Sequence, residues 1–307
     1  METLKRYRTL VADSARWEGF EFRDGDIIIS TPPKCGTTWT QMICALLIFG
    51  TPDFDRSLDL ISPWLDMNTR PLDSVVADLE AQTHRRFIKS HTPLDGLPFD
   101  DRVTYVTVGR DPRDVAMSMA HHFDNMNFES FFSLIDKAVG LETLSDVIGD
   151  PPAAGGTERD RFWQWVDDVN KPGQSVSGLA STLHHLKTFW DARDKTNVVM
   201  LHYGDMKADL PGQMRKLASR LGIDLDDAAL PALAEAASFD QMRESAARVA
   251  PNTTELIWQD AQSFFHKGTT GQWRDLLGDD DLQRYAKRVA ELIPGDLSDW
   301  AHQGPIV

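Results

Sequence analysis

Short apolar runs alternate along the chain with longer stretches whose apolar residues recur at helical spacing. Four runs read as strands: Asp26–Thr31 (DIIIST), Arg86–His91 (RFIKSH), Val103–Val108 (VTYVTV) and Asn197–Tyr203 (NVVMLHY). Each is bounded by charges or turn residues. The periodic stretches predict helices at Thr37–Phe49, Pro112–Phe123, Leu179–Arg193, Pro211–Leu221 and Asp281–Leu292. Pro112 and Pro211 fall in first turns, where a missing N–H costs nothing. This rhythm is that of an α/β fold, a parallel sheet flanked by helices.

Residues 124–177 break the rhythm. They hold Phe128, Phe131, Phe132, Phe162, Trp163 and Trp165, a Pro-Pro-Ala-Ala-Gly-Gly break at 151–156 and the turn Lys171-Pro172-Gly173. They read as a cap of helices and loops over one end of the sheet, and 245–277 as a second loop-rich region. No repeat and no flexible linker divides the chain, so one domain over 1–307 is expected.

Charge and composition narrow the function classes. The chain has 32 Lys+Arg against 47 Asp+Glu, a formal net charge of −15. That argues against a nucleic-acid or anionic-membrane partner, because phosphate surfaces are bound by basic patches. An anion bound by this protein needs its cations concentrated in one place. The longest apolar run, Met42–Phe49, is far short of the roughly 20 residues that cross a bilayer, and no transmembrane segment is expected. The two cysteines, Cys35 and Cys44, lack metal-ligand spacing, and a cytoplasmic setting is the simplest for them.

Three segments carry candidate chemistry. Ser30-Thr31-Pro32-Pro33-Lys34-Cys35-Gly36-Thr37-Thr38-Trp39 leaves a strand and enters a helix. Such a junction offers unpaired N–H groups and the positive end of the helix dipole to an anion. Gly36 permits close approach, Thr37 and Thr38 add hydroxyls, and Lys34 adds charge. The nucleotide-triphosphatase loop differs, since it places lysine directly after its second glycine. The plainer reading is a turn with an incidental lysine and a threonine cap. Arg110-Asp111-Pro112-Arg113-Asp114-Val115-Ala116-Met117-Ser118 is a second junction of this kind. There Arg110 and Ser118 suit a phosphate, while Asp111 reads as a cap and Arg113 and Asp114 as surface charges. Lys267-Gly268-Thr269-Thr270-Gly271-Gln272-Trp273 adds a cation in a glycine-bearing loop.

Taken in order, these segments resemble the cytosolic sulfotransferase family that uses 3′-phosphoadenosine 5′-phosphosulfate (PAPS). Lys89-Ser90-His91-Thr92-Pro93 is similar to that family's catalytic strand end, and Tyr203-Gly204-Asp205-Met206-Lys207 to a later motif. The resemblance implies a P-loop-like sulfotransferase fold with a cap over the acceptor site. It implies that Lys34, Gly36, Thr37 and Thr38 hold the 5′-phosphosulfate. Trp39, Tyr203, Ser238 and Phe239 would surround the adenine, and Arg110, Ser118, Lys267 and Gly268 would bind the 3′-phosphate. It makes His91 the base, assisted by Lys89, with Lys34 on the bridging oxygen and no metal required. The product would be adenosine 3′,5′-bisphosphate.

His121 and His122 are the rival bases; His84, His184, His185, His202 and His302 receive no role. His266 stands where the family has arginine, and Gln272 where it has an acidic residue. Leu276–Asp281 lacks the family's dimerisation stretch, so no oligomeric state follows. The acceptor is a hydroxyl of a small molecule, whether phenol, alcohol, sterol or lipid-linked sugar. Phe123, Phe128, Phe132, Trp163 and Trp165 either line an apolar acceptor cavity beside His91 or pack the cap's own core. The competing readings are a P-loop-type nucleotide kinase or triphosphatase and a non-catalytic nucleotide-binding module.

Overall fold

A computed structural model describes residues 4–54, 56–147, 156–175, 177–251, 257–265 and 267–304. Strands β1 (Ile27–Ser30), β2 (Phe87–Ser90), β3 (Thr104–Gly109) and β4 (Val198–His202) form a parallel sheet in the order β2-β1-β3-β4. The pairings set Ile27 opposite Phe87 and Thr104, and Val106 opposite Val199. Each expected strand is present with its ends within one residue of the expected ones, β3 running one residue further, to Gly109.

Period-two alternation splits the strand side chains between two faces. Ile27, Ile29, Phe87, Val106, Val108, Val199 and Leu201 pack against the helices Thr37–Phe49 (α1) and Leu210–Leu221. On the opposite face Ile28, Ile88 and Tyr105 meet Trp17, Leu65 and Phe189. Burial on both faces is why these strands read as continuous apolar runs. A further cluster joins the Pro112–Asp124 helix to Glu158–Val166, Leu179–Trp190, Asp279–Leu292 and Gly295–Gln303.

Local chemistry sets the boundaries. Asp111 caps the Pro112 helix by accepting from Arg113 N at 3.0 Å, and Asp209 caps Leu210–Leu221 by accepting from Gly212 N at 2.9 Å. The Leu179 helix stops at Trp190 rather than Arg193, because Ala192, Arg193 and Lys195 make three-residue turns instead. The last long helix begins at Asp279, two residues before Asp281, whose carboxylate accepts from Gly278 N at 3.1 Å.

The cap expected over 124–177 contains helices Phe128–Val139 and Glu158–Val166. Most of the 151–156 break, and His266, lie outside the described residues. At the N-terminal edge of the sheet Arg86 and Asp26 form a buried two-point ion pair, with Arg86 Nε 2.9 Å from Asp26 Oδ1. At the opposite edge the ends of all four strands converge. There β1 lies between β2 and β3, so the chain crosses from one side of β1 to the other, which is where open α/β sheets bind ligands.

Candidate active site

β1 ends at Ser30 and the chain turns sharply into α1. Gly36 takes a left-handed backbone (φ 101°), and no side chain caps the helix start. The first-turn N–H groups therefore remain available to an anion. A Cβ on Gly36 would lie 3.2 Å from the Tyr203 ring, so only glycine fits both the backbone and the space. Thr37 and Thr31 join their hydroxyls at 2.6 Å, bracing the turn. Lys34 is the one non-glycine residue with positive φ (66°) among the described residues. Such a conformation is costly for a residue with a Cβ, and here it directs the lysine out of the turn.

The second junction is tied to the first. Arg110, directly after β3, donates to the Lys34 carbonyl at 2.8 Å and to the Thr269 carbonyl at 3.4 Å. Its guanidinium lies 4.4 Å from the Tyr203 ring centre. Arg110 is buried, and its Nε has no hydrogen-bond partner among the described residues. A buried cation with a spare donor beside a helix start suits an anionic ligand. Ser118 is partly buried two turns along the same helix.

Asp114 departs from expectation. It is buried rather than a surface charge, and accepts from Gly271 N (2.8 Å) and Gln272 N (3.0 Å). It thereby anchors the 267–273 loop to the Pro112 helix. Burial pushes its pKa up, offset by those two N–H donors and Arg110. Arg113 is no free surface charge either, since it pairs with Asp111 and lies 3.7 Å from the Trp273 ring centre.

The expected adenine residues form a chain of contacts. Tyr203 meets Trp39 edge to face at 5.3 Å, and Trp39 Nε1 donates to the Ala237 carbonyl at 2.8 Å. Next along the chain, Ser238 accepts from Gln241 N at 3.3 Å and caps the Phe239–Glu244 helix. Phe239 lies beneath Gly268, where an added Cβ would come within 2.5 Å of the ring. Lys267 is exposed.

On the other side of Lys34 lies His91, directly after β2. Its Nδ1 is 2.6 Å from the Thr31 carbonyl. A carbonyl only accepts, so Nδ1 carries the proton and Nε2 keeps its lone pair. Burial first, and the charge of Lys89 second, lower the His91 pKa to about 3, leaving a neutral imidazole at neutral pH. Lys89 stands 4.2 Å from the Trp64 ring centre, and burial lowers its pKa to about 8. Lys34 is lowered to about 7 by desolvation, then by Arg110 and Lys89. His122 Nδ1 lies 3.3 Å from Lys34 Nζ. Cys35 is buried and its thiol pushed up to about 12, which makes it inert.

A pocket of about 650 Å³, part of it open to solvent, has His91 in its wall. Pro32, Pro33, Trp64 and Val11 give it apolar surface, and Thr9, Thr92, Ser175, Ser181 and Thr182 give it hydroxyls. Trp163 and Trp165 are elsewhere. Trp163 Nε1 bonds Asp281 (3.0 Å), Trp165 Nε1 bonds Ser177 (2.8 Å), and both pack in the cluster around the Pro112 helix. Phe123, Phe128 and Phe132 form a run of rings 6.4–6.5 Å apart, and none lines this pocket. Packing is therefore the reading supported for Trp163, Trp165 and, in part, Phe123, whereas Phe128 is exposed and Phe132 half-buried.

Sequence reasoning did not single out Tyr7, Thr9, Val11, Ala12, Trp64 or His185, which line this pocket. Tyr7 is locked by Asp95 (2.6 Å) and His184 (2.7 Å), contacts of long sequence separation that leave no local pattern. Among the described residues no group of three His, Cys, Asp or Glu could hold a metal ion, and no helix is long and apolar enough to cross a membrane.

The family described as "Sulfotransferase domain" matches residues 24–295. The chain belongs to the sulfotransferase family. A relative named glycolipid sulfotransferase, from Mycobacterium bovis, is 44% identical over 310 residues, covering 97% of this chain and 94% of that protein. Two solved structures share the sulfotransferase fold. Retinol dehydratase in complex with androsterone and inactive cofactor PAP has a TM-score of 0.68 at 22% identity, over 92% of this chain and 84% of that one. Mouse sulfotransferase SULT7A1 complexed with PAP has a TM-score of 0.66 at 20% identity, over 94% and 92%. This sulfotransferase therefore transfers a sulfuryl group.

Proposed function

We propose that this sulfotransferase takes PAPS as donor and sulfates a hydroxyl of a glycolipid, with one domain carrying both sites. One observation carries the donor reading: Arg110 spans both junctions through the Lys34 carbonyl and retains a buried Nε with no partner among the described residues. Lys34, Gly36, Thr37 and Thr38 hold the 5′ end. Arg110, Ser118, Lys267 and Gly268 hold the 3′-phosphate, and Trp39, Tyr203, Ser238 and Phe239 hold the base between them. The donor supplies a sulfuryl group on an activated anhydride. Lys34 stabilises charge on the departing oxygen, as in other loose in-line transfers. His91 Nε2 takes the acceptor's proton, and Lys89 adds positive charge beside it.

The acceptor reading rests on the pocket's mixture of apolar wall and hydroxyls, which suits a sugar joined to a lipid, together with the name of the 44% identical relative. A cytoplasmic setting accords with reduced, buried Cys35 and Cys44.

The test is transfer of labelled sulfate from PAPS to a panel of glycolipids, sterols and phenols. Glycolipid labelling is expected to exceed phenol labelling; phenol alone becoming labelled would remove the acceptor assignment. Adenosine 3′,5′-bisphosphate is expected to raise the melting temperature. A rise with ATP·Mg²⁺ alone would favour a kinase instead.

A further inference from the structure

Lys34 is held at its backbone and at its ammonium. Arg110 fixes its carbonyl at 2.8 Å, and its ammonium meets His122 Nδ1 at 3.3 Å while lying 4.7 Å from the Phe264 ring centre. His122 is itself walled in, with Trp258 at 4.9 Å, Phe264 at 6.0 Å and Phe123 at 6.2 Å between ring centres. An ammonium only donates, so the imidazole accepts through Nδ1 and carries its proton on Nε2. Desolvation and the neighbouring Lys34, Lys89 and His91 keep His122 neutral, which preserves that acceptor.

We propose that His122 is a positioning residue for the transfer step: its Nδ1 holds the Lys34 ammonium, on a chain already turned by its left-handed backbone, where charge develops on the departing oxygen. A lysine side chain has many rotamers, and confining it before reaction places the charge without reorganisation during reaction. Because the imidazole is neutral, it orients the charge and does not quench it. The sequence offered His122 as a rival base. The geometry assigns it to the lysine, while Thr31 orients His91 by its own carbonyl.

This inference rests on the role given to Lys34, and the experiment separates the two. His122→Phe keeps an aromatic against Trp258 and Phe264 but removes the acceptor. His122→Asn restores an oxygen near the Nδ1 position, and His122→Gln places one near Nε2. Turnover with PAPS, KM for PAPS and the Kd of adenosine 3′,5′-bisphosphate would be measured for each, for Lys34→Met, and for Lys34→Met combined with His122→Phe.

His122→Phe is expected to lower kcat by roughly 10-fold, the scale of one charge-assisted hydrogen bond, with bisphosphate binding little changed. Asn is expected to recover most of that loss and Gln little of it. On the Lys34→Met background, His122→Phe is expected to have no further effect. Equal losses for Phe, Asn and Gln would make His122 a packing residue, as would full activity in His122→Phe beside an inactive Lys34→Met. Full activity in Lys34→Met would instead remove the lysine itself from the mechanism. If the Phe variant melts at working temperature, the Asn–Gln contrast still decides.

Discussion

Lys34 and His91 are both basic residues whose surroundings disfavour positive charge, yet the proposed mechanism asks opposite things of them. His91 must be neutral to accept a proton, and a pKa near 3 keeps it so. Lys34 must be charged, and near 7 it is protonated below that value and neutral above. The kcat/KM for donor is therefore expected to fall as pH rises through about 7. No acid-side loss is expected at the usual histidine pKa of about 6.5. An acid limb near 6.5 that disappears in His91→Asn would contradict the neutral-histidine assignment. His91→Ala is expected to lose roughly 10²–10⁴ in kcat while binding adenosine 3′,5′-bisphosphate as before; retained turnover, by labelled-sulfate assay, would take His91 out of the mechanism. Both residues were legible because a motif flanks each. Asp114 was not, since its role depends on Gly271 and Gln272, more than a hundred residues away.

The elements divide into a frame and fittings. Strands and long helices were readable because burial on two faces leaves apolar runs, and proline and aspartate mark helix starts. The Arg86–Asp26 pair sits at the edge of the sheet opposite the site, with both side chains 2% exposed. Arg86→Met leaves a buried carboxylate unpaired, and a loss of about 3–5 kcal/mol in denaturant unfolding is expected. The kcat of the remaining folded protein should be unchanged. A loss under 1 kcal/mol would mean that water or another donor replaces the guanidinium. Asp114→Asn tests a fitting. One of its two N–H partners loses its acceptor, so the 267–273 loop should loosen. The Kd for adenosine 3′,5′-bisphosphate is expected to rise roughly 10-fold by calorimetry. An unchanged Kd would show that the loop is held elsewhere.

Across the whole molecule an excess of 15 negative charges surrounds a patch containing Lys34, Lys89 and Arg110. That contrast was predictable from composition once a polyanionic donor was suspected, though the patch itself needed the strand order to assemble it. Raising the salt is expected to increase KM for the donor by screening this local field, and a flat salt profile would argue that contacts alone capture it. The wall of the proposed acceptor pocket was the least legible part, because it is built from distant pieces of chain. Tyr7, Thr9, Val11 and Ala12 share the pocket's lining with Pro172, Gly173, Ser181 and His185, and a Cβ on Gly96 or Gly173 would collide with the Tyr7 ring at 2.5 Å. None of the residues given to the donor comes from that leading stretch. On the proposed acceptor site, a chimera carrying another relative's residues 4–13 is expected to change which acceptors become sulfated while its handling of the nucleotide stays as it was.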